Sequence, residues 1–353
     1  MREVFVSGCY DILHGGHLEF FRQARALGDH LIVCMPTDEV LFHHKHRQPY
    51  LPFEHKLELV RALRMVDEVV IGADVEPGLN FRTEFLRRRP QVLAVTEDDR
   101  FEAIKREICA QAGAEYVKLP KSLEYDQIST TEIYQRVHAP VEAPLRVDFA
   151  GGWLDVPRLA RQDGFIVNCA ISPLVSLWHW PYEKCSGMGG SGAYSLLQGK
   201  EGVESELNNN VGWQDPAVIL ETGLCVWRSG PRPVLELKVN PAFLQGRMAI
   251  LWTGKQHVTR DLTDRERNLD LLVQAGQVAR EGVLALDFAR LCEGVELNHR
   301  MQLEEGMEPL PDFGERARKY CGSGHGGYAV YLFDERPARP GLIPIEPYMK
   351  AFA

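Results

Sequence analysis

Glu3-Val4-Phe5-Val6-Ser7-Gly8-Cys9-Tyr10-Asp11-Ile12-Leu13-His14-Gly15-Gly16-His17 decides how the first third of this chain is read. Val4 to Val6 is a short apolar run of strand character. Leu18 to Leu27 follows, with Leu18, Phe21, Ala24 and Leu27 near helical spacing. A glycine pair and two histidines therefore sit where a first strand hands over to a first helix. The free N–H groups and partial positive charge of a helix start favour phosphate. Gly15 and Gly16 let a polyphosphate come close to the backbone. His14 and His17 are three residues apart, on neighbouring faces of one turn, and can address the same phosphoryl group.

Working outward, the alternation continues. Leu31 to Met35, Glu68 to Ile71, Val92 to Val95 and Tyr116 to Leu119 read as strands. Phe53 to Met65, Arg100 to Ala112 and Thr130 to Val137 read as helices. This pattern predicts an α/β fold, a Rossmann-like doubly wound parallel sheet with its ligand at the carboxyl ends of the strands. The proline-bearing stretch His138 to Pro144 is the expected linker, dividing the chain into domains 1–139 and 140–353. Beyond it the character changes: glycines cluster at 151–152, 187–192 and 322–327.

Composition narrows the function classes. The 353 residues are 45% hydrophobic and 25% charged, enough for two cores, with a formal net charge of −9. The basic runs Arg87-Arg88-Arg89 and His43-His44-Lys45-His46-Arg47 are short, so nucleic acid is not an expected partner. The trio His43, His44 and His46, on an expected loop before Pro49, suits phosphate or solvent better than a metal. The eight cysteines form no Cys-x-x-Cys pair, and several lie in apolar runs, as reduced thiols do. No apolar stretch approaches the ~18 residues of a membrane span. A cytoplasmic protein without membrane partners is expected.

The segment Gly8 to His17 resembles the HxGH signature of the cytidylyltransferases and related nucleotidyltransferases. Ile128-Ser129-Thr130-Thr131-Glu132-Ile133 resembles the family's Ile-Ser-Thr-Thr/Ser segment, and Lys45-His46-Arg47 with Pro49 follows its pattern in between. The resemblance implies in-line attack of a substrate phosphate on the α-phosphorus of CTP or ATP, with pyrophosphate leaving and Mg²⁺ assisting. It implies that His14, His17 and Lys45 are catalytic, stabilising the phosphates as charge develops. Gly8, Cys9, Tyr10, Asp11 and Gly16, with Ser129, Thr130 and Thr131, would bind the nucleotide. A homodimer is the family-based expectation. The chain departs from the family where an arginine commonly precedes Ile-Ser-Thr: it has Glu124-Tyr125-Asp126-Gln127.

The second half carries another set. Pro144-Leu145-Arg146-Val147-Asp148-Phe149-Ala150-Gly151-Gly152-Trp153-Leu154-Asp155 resembles the first motif of the GHMP small-molecule kinases, in the branch acting on heptose phosphates and fucose-like sugars. Gly187-Met188-Gly189-Gly190-Ser191-Gly192 resembles their phosphate loop, Gly212-Trp213-Gln214-Asp215 the segment of the catalytic aspartate, and Cys321 to Tyr328 the third, glycine-rich motif. The implied fold is α+β. The implied roles are Asp215 as the base for a sugar hydroxyl and Arg146 beside the reacting oxygen. Gly187, Gly189, Gly190 and Ser191 would cradle ATP, and Asp155, Gly324 and Gly326 would hold the sugar. Two departures stand out. The phosphate loop keeps one serine, with Glu204 or Glu206 as candidate metal carboxylates, and His325 replaces a usual glycine.

Together these readings give a bifunctional sugar-activating enzyme. One domain phosphorylates a sugar or sugar phosphate with ATP, and the other couples the sugar-1-phosphate to a nucleotide. The alternative is a transferase whose second domain is a ligand-binding regulator.

Overall fold

The computed structural model describes residues 1–45, 48–121, 128–256, 265–336 and 339–350, with Lys45 described in its backbone alone. Contacts divide the chain into two compact units, Met1–Tyr134 and Gln135–Ala353.

In the first unit β1 (Glu3–Ser7), α1 (Gly15–Arg25), β2 (His30–Pro36), α2 (Asp38–Lys45) and α3 (Phe53–Arg61) follow in order. Then come β3 (Glu68–Gly72), α4 (Arg82–Arg88), β4 (Val92–Thr96), α5 (Glu102–Ala112), β5 (Glu115–Leu119) and α6 (Thr130–His138). The sheet order is β3-β2-β1-β4-β5, every pair parallel. Helices cover both faces, and Val4, Phe5 and Val6 are fully buried between them. The order reverses between β1 and β4. That leaves a crevice beyond their carboxyl ends, where ligands of such sheets bind.

The expected strands and helices are present. Two helices were not foreseen. The segment read as a loop around His43 is the end of α2, which Thr37 caps by accepting the Val40 N–H at 3.3 Å, with Asp38 and Glu39 in the first turn. On it His44 Nε2 lies 2.9 Å from the Val75 carbonyl oxygen; His46 and Arg47 lie outside the described residues. The arginine run belongs to α4 and its C-terminal end, where Arg88 pairs with Glu68.

The second unit is an antiparallel sheet with helices. Its elements begin with β6 (Ala143–Ala150), β7 (Phe165–Val175), α7 (Gly190–Leu197), α8 (Gly202–Asn208), α9 (Gln214–Glu221), β8 (Leu224–Arg228), β9 (Val234–Val239) and β10 (Met248–Trp252). They end with α10 (Leu269–Ala285), α11 (Phe288–Glu304), β11 (Ala317–Tyr320), β12 (Tyr328–Leu332) and β13 (Ile343–Pro347). The path β11-β12-β10-β13-β7-β8-β9 carries β6 paired to β7. The expected linker shrinks to residues 139–142, because His138 ends α6 and Ala143-Pro144 open β6. Every residue of β6 is buried, including Arg146 and Asp148. Helices α10 and α11 pack closely because Gly294 has no side chain: a Cβ there would come within 2.7 Å of Ala279.

Candidate active sites

The first site lies at the reversal point of the parallel sheet, in a cavity of about 560 Å³. After β1 the chain supplies Tyr10, His14, Gly16 and His17; the end of β4 and the loop beyond it supply Thr96 and Asp99; after β5 comes Lys121, and from the start of α6, Ser129, Thr130 and Thr131. The two histidine rings stack at 3.8 Å between centroids, 29° apart, and Tyr10 meets His17 edge-on at 5.2 Å. Burial lowers the pKa of His14, and its Nδ1 has no hydrogen-bond partner among the described residues. At neutral pH it is therefore a neutral imidazole beside open cavity.

The remaining expected residues divide by what they touch. Gly8 and Cys9 are absent from the lining; a Cβ on Gly8 would come within 2.7 Å of the Tyr10 ring. Asp11 is also turned away from the cavity. It is 2% exposed and accepts the backbone N–H of Tyr50 at 3.0 Å, with Lys56 Nζ 3.8 Å away. It ties down the segment before α3. Ser129 forms a capping box: its hydroxyl accepts the Glu132 N–H at 3.2 Å, and Glu132 accepts the Ser129 N–H at 2.7 Å. What this end offers an anion is the remaining amides of α6 and two threonines. Lys45 closes α2, and its side chain lies outside the described residues, as does the segment 124–127 that lacks the family's arginine.

Two lysines not foreseen from sequence line this cavity. Lys105 of α5 pairs with Asp99 at 2.8 Å, and Lys121 pairs with Asp98 at 2.8 Å. Against the cost of burial, Lys105 and the Tyr116 hydroxyl hold Asp99 below its usual pKa. Spacing could not have revealed Lys105, because α5 and the β4 loop meet only once the sheet is built.

The second site comprises two cavities, of about 110 and 700 Å³, that share Gly187, Ser191, Glu206, Val211 and Asp215. Gly189 caps α7 in the left-handed region, φ +75°; a Cβ there would come within 3.1 Å of Arg146 Cγ and 3.3 Å of Asp215 Cβ. Glycine is thus required both by conformation and by closeness to the charged pair. The larger cavity takes Gly187, Gly189, Gly190 and Ser191 at the start of α7 together with Leu177, Trp180 and Tyr194. A helix N-terminus beside an aromatic wall suits a nucleoside triphosphate.

Asp215 lines both cavities. Arg146 grips its Oδ1 through Nε at 2.7 Å and Nη2 at 2.6 Å, while no hydrogen bond among the described residues takes Oδ2. Burial raises the Asp215 pKa against the pull of Arg146. The sequence places Arg146 beside the reacting oxygen; in the structure its guanidinium is buried, and Nη1 serves Asp148 at 2.8 Å and the Gly187 carbonyl at 2.7 Å. Its guanidinium contacts are with protein groups, Asp215 among them. Asp155 is also enclosed: Gln214 N and Nε2 and Trp153 N donate to it at 3.1–3.2 Å. Burial, then the charge of Asp215, push its pKa up to about 7. A Cβ on Gly212 would sit 1.7 Å from its Oδ2, so that glycine makes room for the carboxyl.

From the third glycine-rich motif, Gly322 and Ser323 reach the smaller cavity; Gly324 packs on Met307, and Gly326 and His325 line a separate small hollow. Of the two candidate metal carboxylates, Glu204 pairs with Arg232, whereas Glu206 lines both cavities and accepts the Ser191 hydroxyl. Burial, then Asp215, raise the Glu206 pKa.

Residues 5–136 match the cytidylyltransferase-like family. The FAD synthase of Thermococcus onnurineus is 38% identical over 138 residues, which are 38% of this chain and 89% of that protein. The FAD synthase of Thermococcus kodakarensis is 39% identical over 137 residues, 38% of this chain and 90% of the relative. Among solved structures, a D-glycero-D-manno-heptose 1-phosphate kinase from Bacteroides thetaiotaomicron covers 58% of this chain and 95% of its own at 14% identity, with a TM-score of 0.41. A mevalonate kinase of L. major bound to R-mevalonate covers 55% of this chain and 87% of its own at 16% identity, TM-score 0.41. Through its first unit, this chain belongs to the cytidylyltransferase-like family.

Proposed function

We propose that the chain activates a sugar in two steps: a GHMP-type kinase site in the second unit phosphorylates it, and the first unit joins the sugar-1-phosphate to a nucleotide. The observation that carries this reading is that each unit holds its own phosphate-suited helix start. One is His14–His17 at α1, and the other is Gly187–Ser191 at α7, with Asp215 between a large and a small cavity.

In the kinase step the anomeric hydroxyl oxygen attacks the γ-phosphorus of ATP, the bond to the β,γ-bridging oxygen breaks, and ADP leaves. Asp215 Oδ2 accepts the hydroxyl proton while Arg146 fixes the carboxylate through Oδ1. The residues fit Mg²⁺ here: Glu206 and Ser191 converge beside Asp215, and burial with like charge has raised the Glu206 pKa. When bound, the cation neutralises phosphate charge.

In the transfer step an oxygen of the sugar phosphate attacks the α-phosphorus of the triphosphate, and pyrophosphate leaves. His14 and His17 stabilise the charge that develops on the phosphoryl oxygens. Lys105 and Lys121 line the same cavity, each paired with an aspartate that a phosphate would have to compete with. Asp99 and Glu132 are already engaged, so no carboxylate of this cavity is assigned to Mg²⁺. The relatives named FAD synthase favour ATP over CTP as donor, since flavin adenine dinucleotide carries an adenylyl group. They also support a second reading, in which the acceptor is a flavin phosphate.

The test is a panel of sugars, sugar-1-phosphates and flavin mononucleotide against CTP and ATP, reading ADP and pyrophosphate separately. Pyrophosphate released from sugar-1-phosphate, with ADP formed from a sugar, upholds the bifunctional reading. Pyrophosphate released with flavin mononucleotide alone replaces it with the second.

A further inference from the structure

We infer that the small cavity of the second unit takes a neutral, unphosphorylated sugar and rejects the sugar phosphate. This rests on reading the unit as a sugar kinase, and it follows from where the cations go.

Among the described residues, Arg146 is the single cationic side chain lining that cavity. It belongs to a buried chain of four ions. Lys319 Nζ contacts Asp148 Oδ2; Asp148 Oδ1 accepts from Arg146 Nη1 at 2.8 Å; Arg146 holds Asp215 at 2.6 Å. Lys319, Asp148 and Arg146 are only 0, 1 and 2% exposed, so water does not share the charges. Two cations and two anions cancel. Against the cost of burial, Lys319 and Arg146 hold Asp148 below its usual pKa, which keeps it ionised. Arg267 lies over the ring of Trp153 at 3.9 Å and is paired with Glu305 at 2.8 Å. Its charge is also taken.

Asp155 and Glu206 then add carboxyl groups to the same wall. A phosphate dianion needs charge-assisted donors, an arginine fork or a cluster of free amides. Here it would meet carboxylates, and like charges side by side in a closed site cost several-fold in binding at the least. The start of α7 is an anion cradle whose Gly189 and Gly190 line the larger cavity alone, with Gly187 and Ser191 at the border of the two. A sugar hydroxyl, by contrast, finds an acceptor in Asp215 and a hydroxyl in Ser323, while Trp153 and Val156 offer apolar surface to ring C–H groups.

The experiment uses the full chain and matched pairs: each aldohexose with its 6-phosphate, each aldoheptose with its 7-phosphate. ADP release is measured for both members. The expected result is a kcat/KM for the free sugar at least about a hundredfold above that of its phosphate. A preference for the phosphorylated member overturns the inference. If neither member yields ADP, the kinase reading fails, and the inference is then decided by calorimetry on the same pairs: free sugar bound more tightly upholds it, sugar phosphate bound more tightly overturns it. Val211 lines the cavity without charge, and Val211→Arg should raise kcat/KM for the sugar phosphate about tenfold by adding the missing cation; no gain in a folded variant counts against the charge argument.

Discussion

The two sites differ in what their charged groups are doing. In the first unit, loops at the carboxyl ends of parallel strands present a neutral His14, His17 stacked on it, and two lysines to an open cavity. In the second, a fully buried strand carries Arg146 and Asp148 into a chain of ion pairs that ends at the partly buried Asp215, which lines the cavities. Under the proposed function the first arrangement meets a phosphate with histidines and helix amides, its two lysines already paired with Asp99 and Asp98, and the second meets a sugar with its positive charge already balanced. The lesson is that a cation named by a motif says little about ligand charge until its partners are known.

The largest effect expected is at Asp215. Asp215→Asn should lower sugar-dependent ADP formation by about a thousandfold, because an amide cannot take the hydroxyl proton. Pyrophosphate release from a supplied sugar-1-phosphate should persist; if both fall together, the two activities are not separate. Next is Lys319→Met, which leaves Asp148 buried with less compensation and should cost about 3–5 kcal/mol of stability in denaturant titrations. A wild-type midpoint would mean that the ion chain contributes little.

His14→Ala or His17→Ala should reduce pyrophosphate release by about a hundredfold while ADP formation stays intact. Turnover near normal in either variant would move the transferase site elsewhere. Lys105→Ala and Lys121→Ala should each raise the nucleotide KM by about tenfold, the effect of one lost charge-assisted contact, with kcat less affected. The smallest change is Ser129→Ala, expected to cost about 1 kcal/mol as a lost helix cap. A loss of activity far beyond that would give the hydroxyl a direct part in binding phosphate.

Much of the first unit was legible because its signals are local. Strand runs such as Leu31 to Met35 and the glycine pair at 15–16 need no partner to be recognised. Helix α2 was overlooked because its histidines suggested a loop, although Thr37-Asp38-Glu39 is a cap followed by acids. The linker was drawn too wide for a similar reason. Pro144 reads as a break, yet it sits near the start of β6, where a missing N–H is tolerated.

By itself, the sequence determined the alternating α/β order of the first unit and the glycines at the helix starts, and it singled out His14, His17 and Asp215, which line cavities in the structure. Only the tertiary structure decided that Asp11 and Ser129 hold backbone, that Asp155 is enclosed, that Lys105 and Lys121 reach the transferase cavity, and that Arg146 is spent on Asp148 and Asp215. The physical reason is range. Helix starts and strand runs are set by residues a few positions apart. The charge a ligand meets is set by pairs such as Asp148 with Lys319, 171 residues apart, brought together when the sheet closes.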